Sequence, residues 1–239
     1  MEKILNKLKT PCPTSNPTLY EKQVWQKQAY LCGIDEVGRG CLAGPVVTAA
    51  VVLFPSSTHP LLKDSKILTE NKRLEAASWI GKNSWFSYGI VDAREIDRLN
   101  IYKATQVAMR QAVYGLFSRL PKHVRPELIL IDAMPLQAPF LDSQPEIISF
   151  PFGESRSISI AAASILAKVK RDELISRMTR SFPAYSFQTH KGYGTAAHHK
   201  ELRAHGPSLL HRATFLKHVS NQERSQDEEC PDRQASLFC

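Results

Sequence analysis

Apolar and polar positions along the chain divide it into an ordered series of elements. The stretch YEKQVWQKQAY, Tyr20 to Tyr30, places Tyr20, Val24, Trp25 and Ala29 on one helical face and predicts a short docking helix. Tyr30 to Ile34 reads as a strand, a loop follows from Asp35 to Gly44, and Val46 to Phe54 is a β-branched run of the kind a fully buried strand requires. Trp85 to Val91 alternates and predicts a third strand. Ala93 to Leu120 carries Ile96, Leu99, Val107, Val113 and Leu116 at helical spacing. Leu128 to Ile131 and Ile147 to Phe152 are short apolar runs that read as strands. Ile158 to Met178, alanine-rich at its start and rich in Lys and Arg at its end, predicts a long helix. Strands that come first alone and then alternate with helices predict an α/β fold with a mixed sheet.

The flanks read differently. Pro11, Pro13 and Pro17 predict a flexible arm over residues 1–18. Beyond Pro183, HKGYGTAAHHKELRAHGPSLLHRATF combines a glycine-rich turn, a basic helix and a further loop. From Ser220 onward the chain is polar and charged, which predicts a disordered acidic tail over 220–239 and leaves one folded domain over 19–219. A length of 239 residues with 43% apolar content supports a core of that size. The formal charge is +8, but Val219 to Cys239 holds five acids against two bases, so the rest of the chain carries +11. A basic body favours a polyanionic partner. Five scattered cysteines without a CxxC pair support neither a zinc site nor a disulfide framework. With no signal-peptide pattern and no long apolar run, the expectation is a reduced, cytoplasmic protein with no membrane partner.

The candidate chemistry lies in carboxylates. Asp35, Glu36 and Asp132 fall where strands stop, the edge at which α/β sheets present their ligands. Three converging acids repel one another unless divalent cations neutralise them, and oxygen-only donors select hard ions, Mg²⁺ or Mn²⁺. A basic body then suggests a phosphodiester substrate. Read singly, Asp132 is a helix cap or turn residue, and Asp35 with Glu36 a turn between glycines. It is their combination with Gly33, Gly38, Gly40 and Gly44 around one loop that favours a site.

Five blocks in order carry a more specific signal: GIDEVGRGCLAGPVV from Gly33, KDSK from Lys63, AAASILAKVKRD from Ala161, HKGYGT from His190 and HRATF from His211. Together they resemble the type 2 ribonuclease H family, in its bacterial ribonuclease HII branch, over roughly Tyr20 to Val219. The resemblance implies a ribonuclease H-like fold, a mixed sheet flanked by helices with a helical C-terminal segment. It implies a monomeric endonuclease that cuts the RNA strand of RNA–DNA hybrids, and single ribonucleotides embedded in duplex DNA, with Mn²⁺ or Mg²⁺, leaving a 3′-hydroxyl and a 5′-phosphate. The family's metal carboxylates fall on Asp35, Glu36 and Asp132. Its loop that probes the ribose 2′-hydroxyl falls on Gly38, Arg39 and Gly40, and its tyrosine at the following deoxyribose on Tyr193.

The chain departs from the family where an Asp is usual, at Glu154 in FGES, which keeps the charge on a longer arm and is expected to hold the second ion or the water. Cys41 stands where proline is common and Ala213 where a second arginine is common. Lys66, and less strongly Lys168 and Arg171, fit contacts to the substrate backbone, whereas Asp172 reads as a structural salt-bridge partner. None of His190, His198, His199 and His211 is assigned to metal. The tail ends in QASLF, which resembles the bacterial sliding-clamp-binding peptide, with Gln234, Leu237 and Phe238 as its anchors. The alternatives are a ribonuclease HIII-like hybrid nuclease, for which the first thirty residues are too short to hold the usual extra domain, and a non-catalytic nucleic-acid-binding module of the same fold.

Overall fold

The computed structural model describes residues 17–216 apart from 64, 139, 140, 142 and 143. Most of the expected arm and the whole tail, with Gln234, Leu237 and Phe238, lie outside the described residues. Five strands form one sheet in the order β3-β2-β1-β4-β5, with β1 Tyr30–Val37, β2 Val46–Leu53, β3 Ser84–Val91, β4 Pro126–Asp132 and β5 Glu146–Phe150. β1 is central, antiparallel to β2 and parallel to β4, so the sheet is mixed as the element order predicted. The helices are α1 (Leu19–Gln26), α2 (Glu70–Lys82), α3 (Ala93–Leu99), α4 (Ile101–Phe117), α5 (Ile158–Thr179), α6 (Phe187–His190) and α7 (Ala196–His205).

Because neighbouring strand residues face opposite sides, the apolar strands feed two cores. Cys32, Ile34, Ala50, Val52, Ile129 and Ile131 pack against Met109, Ala112, Val113 and Leu116 of α4. Ala49, Val51 and Leu53 point the other way, onto Ala76 and Ile80 of α2 and Ile158, Ala162 and Leu166 of α5. The helices come very close to the sheet where the strand residue is glycine. A Cβ on Gly33 would lie 2.2 Å from the Ser159 carbonyl carbon of α5, and one on Gly89 would lie 1.8 Å from the Ala108 oxygen of α4. α1 docks at the start of α5: the buried Glu21 carboxylate accepts from the Ser157 hydroxyl and, at 3.0 Å, from the Ser159 amide. Tyr20 stacks on Phe150 of β5.

Three expectations change, and one helix had none. The first strand does not stop before Asp35 but runs to Val37, because Asp35 and Glu36 pair in register with Ala49 and Thr48. The single helix expected over 93–120 is two, broken at Asn100, whose left-handed backbone (φ 71°) ends α3 and whose side chain caps the Lys103 amide of α4 at 3.1 Å. The last strand ends at Phe150 rather than Phe152, since Phe152 turns into the left-handed region (φ 59°) and opens a one-turn 3₁₀ helix, Gly153–Ser155. α2 had no sequence expectation, because its weakly amphipathic face buries only Ala76 and Ile80. Among the described residues no helix is long and apolar enough to cross a membrane.

Candidate active site

Parallel pairing sets the centre of the site. Ile34 of β1 lies opposite Ile131 of β4, so the next residues, Asp35 and Asp132, emerge side by side at the same edge of the sheet. Asp132 is held by the Gly153 amide, which donates to its Oδ1 at 2.9 Å. The same 3₁₀ turn brings Glu154 in from the side. Oxygens of Asp35, Asp132 and Glu154 all lie within 4.8 Å of one another, the spacing of a shared cation. Glu36, expected with them, is not in that group. Its Oε1 pairs with Arg39 at 3.3 Å, while its Oε2 is buried without a hydrogen-bond partner among the described residues.

Electrostatics favour a cation here. Burial, and then the charges of Glu36 and Glu154, raise the Asp35 carboxyl well above the usual carboxylate range. Burial likewise pushes Glu36 up to about 7, against the opposing pull of Arg39. Among the described residues no Lys or Arg forms an ion pair with Asp35 or Asp132, and Lys66 reaches Glu154 only at 3.6 Å from a side chain that is 79% exposed. A clustered, partly buried set of oxygens with one orphaned lone-pair site fits a hard divalent ion.

These groups line a cleft of about 390 Å³ together with Ser65, Arg73, Ser164, Lys168 and Tyr193. Ser164 carried no sequence expectation. Its hydroxyl reaches Glu154 Oε1 at 3.3 Å and Ser65 at 2.9 Å, and it also hydrogen-bonds Asp35. The signal for it was a polar position directly after the alanine run Ala161 to Ala163 of α5. Tyr193 is 38% exposed at the rim, with the Lys168 ammonium 5.5 Å from its ring centre. Lys168 pairs with Asp172 at 2.9 Å, as expected of Asp172.

Arg171 does not contact substrate, because it is fully buried. Its guanidinium donates to the carbonyls of Pro45, Lys191 and Ala43 at 2.8–3.1 Å, which ties α5 to the segment after the 38–40 loop. Cys41 is a buried thiol against the Tyr193 hydroxyl, and Ala213 donates its amide to Asp97 at 2.7 Å. The histidines His190, His198 and His211 are buried and bond one another, Glu201 or backbone.

A family model described as ribonuclease HII matches residues 32–218. A ribonuclease HII of Lactobacillus acidophilus is 44% identical over 200 residues, covering 82% of this chain and 75% of the relative. One from Bacillus anthracis is 46% identical over 198 residues, covering 82% and 73%. Among solved structures, the PCNA:RNase HII complex from Archaeoglobus fulgidus is similar at TM-score 0.63 and 25% identity, covering 87% of this chain and 98% of that one.

Proposed function

The chain belongs to the ribonuclease HII family and is a ribonuclease H, and from that premise we propose that Asp35, Asp132 and Glu154 hold the divalent metal with which it cuts RNA–DNA hybrids and single ribonucleotides embedded in duplex DNA. The observation that carries this reading is the convergence of three carboxylates within 4.8 Å at the end of β1 and β4, beside a glycine loop. Bound there, Mg²⁺ or Mn²⁺ supplies the charge that activates water and stabilises the leaving oxygen of a phosphodiester. Asp35 and Asp132 present oxygens from rigid strands. Glu154, one methylene longer than the usual Asp, reaches the same point from the 3₁₀ turn and is steadied by Ser164. Glu36 flanks the centre with its unpartnered Oε2 available to a second ion. Lys66 at the rim is suited to a substrate phosphate.

Sugar recognition falls to the two elements beside the acids. Gly38, Arg39 and Gly40 bring backbone groups to the ribose 2′-hydroxyl, and the exposed ring of Tyr193 stacks at the following deoxyribose. The test is cleavage of a duplex with one embedded ribonucleotide and of a long hybrid, with Mg²⁺, with Mn²⁺ and with chelator, in wild type and Tyr193→Ala. The variant is expected to lose about 1–3 kcal/mol on the single ribonucleotide and less on the hybrid. Equal losses would remove Tyr193 from junction recognition, and metal-independent cleavage would sink the whole reading.

QASLF supports a second partner, a sliding clamp, as does the PCNA complex formed by the archaeal relative. Leu237 and Phe238 would fill an apolar pocket on the clamp, with Gln234 at its rim. Deleting 234–239 is expected to abolish binding in a titration with the cognate clamp while leaving cleavage of short free duplexes unchanged. Identical clamp binding by both proteins would end this proposal.

A further inference from the structure

The two sugar-reading elements are far apart in sequence, yet both are tied to one buried strap. His211 forms an isolated antiparallel bridge with Ala43, so the chain is extended there and consecutive side chains leave on opposite sides. Arg212, fully buried, sends its guanidinium to one side. It donates to the carbonyls of Gly38 at 2.7 Å, Arg39 at 2.9 Å and Gly44 at 2.8 and 3.0 Å. In a trans peptide the N–H points opposite to the carbonyl. With the Gly38 and Arg39 oxygens drawn onto Arg212, the amides of Arg39 and Gly40 face outward as two successive donors, the arrangement that binds oxygen ligands.

His211 sends its ring the other way. The Ser208 amide donates to His211 Nδ1 at 2.9 Å, so neutral His211 carries its proton on Nε2 and donates it to His198 Nε2 at 2.9 Å. His198 must then carry its own proton on Nδ1, which donates to the Tyr193 carbonyl at 2.9 Å. Burial keeps both rings neutral: it lowers His198 below the usual histidine value and, with the neighbouring His198, pushes His211 down to about 4. Stacking of His190 on His198, with ring centres 4.0 Å apart, fixes the second ring in place, and His190 itself is held by Glu201 and the Gly192 amide. Every hydrogen bond in this line has one direction, from Ser208 through two rings to the backbone of Tyr193.

We propose that the consecutive residues His211 and Arg212 are positioning residues that hold Tyr193 and the 38–40 loop in fixed register, so that a ribose and the deoxyribose after it are read together. This rests on the reading of those two elements as sugar readers given above. A strap that fixes both would set the spacing between the two sugars the enzyme accepts.

Double-mutant cycles separate this from a merely structural role. His211→Phe keeps a ring but loses the donor to His198. It is expected to fall about tenfold further on a single embedded ribonucleotide than on a long hybrid, within the roughly 5–150-fold range that one stacking contact spans. In a Tyr193→Ala background that extra loss should vanish, and His211→Gln, whose amide can replace the Nε2 donor, should recover part of it. Arg212→Lys keeps the charge but not the fork. Its loss should be shared by both substrates, additive with Tyr193→Ala and non-additive with Gly40→Ala. Where the phenyl ring unfolds the protein, His211→Asn, with its amide drawn back from His198, takes its place. The proposal is overturned if the His211 loss is equal on both substrates or persists in full without the Tyr193 ring. If Tyr193→Ala itself shows no selective loss, the sugar-reading assignment falls first and the strap's role with it.

Discussion

Asp35→Asn is expected to abolish cleavage and, in the absence of metal, to make the protein more stable. The amide keeps the shape of the carboxylate and an oxygen for the Glu36 amide, which donates to Asp35 Oδ1 at 2.7 Å. It loses the charge that a divalent ion requires. Metal-borne charge stabilisation is worth several kcal/mol of barrier, so turnover should fall by about 10³-fold or more, and Asp132→Asn should match it. The stability gain follows from the raised Asp35 pKa. An acid raised in the folded state favours folding while protonated, and that contribution is lost as pH rises through the folded value. At neutral pH and above, the buried charge therefore opposes folding unless metal is present. Removing it should raise the melting temperature in chelator by about 2–4 °C for each kcal/mol of repulsion relieved. Mn²⁺ should raise the melting temperature of wild type more than that of Asp35→Asn, because the ion binds only the folded site. Affinity for an uncleaved hybrid should survive, since phosphate contacts dominate it. Near-normal turnover of either variant at saturating metal would refute the assignment.

The sequence carried the site's ingredients better than its geometry. Asp35 and Asp132 could be placed at strand ends from apolar runs alone, and the parallel register of β1 with β4 then makes them neighbours. What the pattern could not carry was the course of β1 beyond Ile34: two consecutive acids look like a loop, yet backbone pairing with β2 is indifferent to side-chain charge and continues through Val37. The family resemblance places Glu36 with the other metal carboxylates, and it lines the same cleft. Its Oε1 turns to Arg39, however, and it is Glu154, arriving from a distant turn, that completes the triplet with Asp35 and Asp132. Arg171 and Arg212 are the other lesson. A basic residue on a helix or loop reads as solvated or as substrate-facing, and only the fold shows carbonyls from the 38–45 segment converging on both guanidiniums. Ser164 was hidden for the opposite reason, being one small polar residue among alanines whose partners come from two other segments.

Two glycine substitutions should separate the framework from the reader. Gly33→Ala adds one methyl to β1, two residues before Asp35, and that methyl would lie 2.2 Å from the Ser159 carbonyl carbon, 2.4 Å from its oxygen and 2.5 Å from the Ile160 nitrogen. All three are backbone atoms of α5, so no side chain can rotate away and the helix itself must retreat by about 1 Å or more. Such overpacking is expected to cost about 3 kcal/mol or more, a fall of roughly 6–12 °C in melting temperature. Because α5 carries Ser164 and Lys168 and is preceded by Glu154, the retreat also loosens the acid cluster. A misplacement of about 1 Å can cost about 10²-fold in rate. Gly40→Ala is the contrast, since a Cβ there meets nothing within 4 Å and its backbone is not left-handed. Stability should change by less than about 0.5 kcal/mol. Cleavage at a ribonucleotide should nevertheless fall, because a methyl on the outer side of the loop keeps the ribose from the Arg39 and Gly40 amides. Turnover is expected to fall in both proteins, so calorimetry separates them: only Gly33→Ala should lose stability. A Gly40→Ala enzyme as active as wild type would mean that the sugar does not approach this loop, and a Gly33→Ala protein with an unchanged melting temperature would mean that α5 is not seated on β1 as closely as its backbone contacts require.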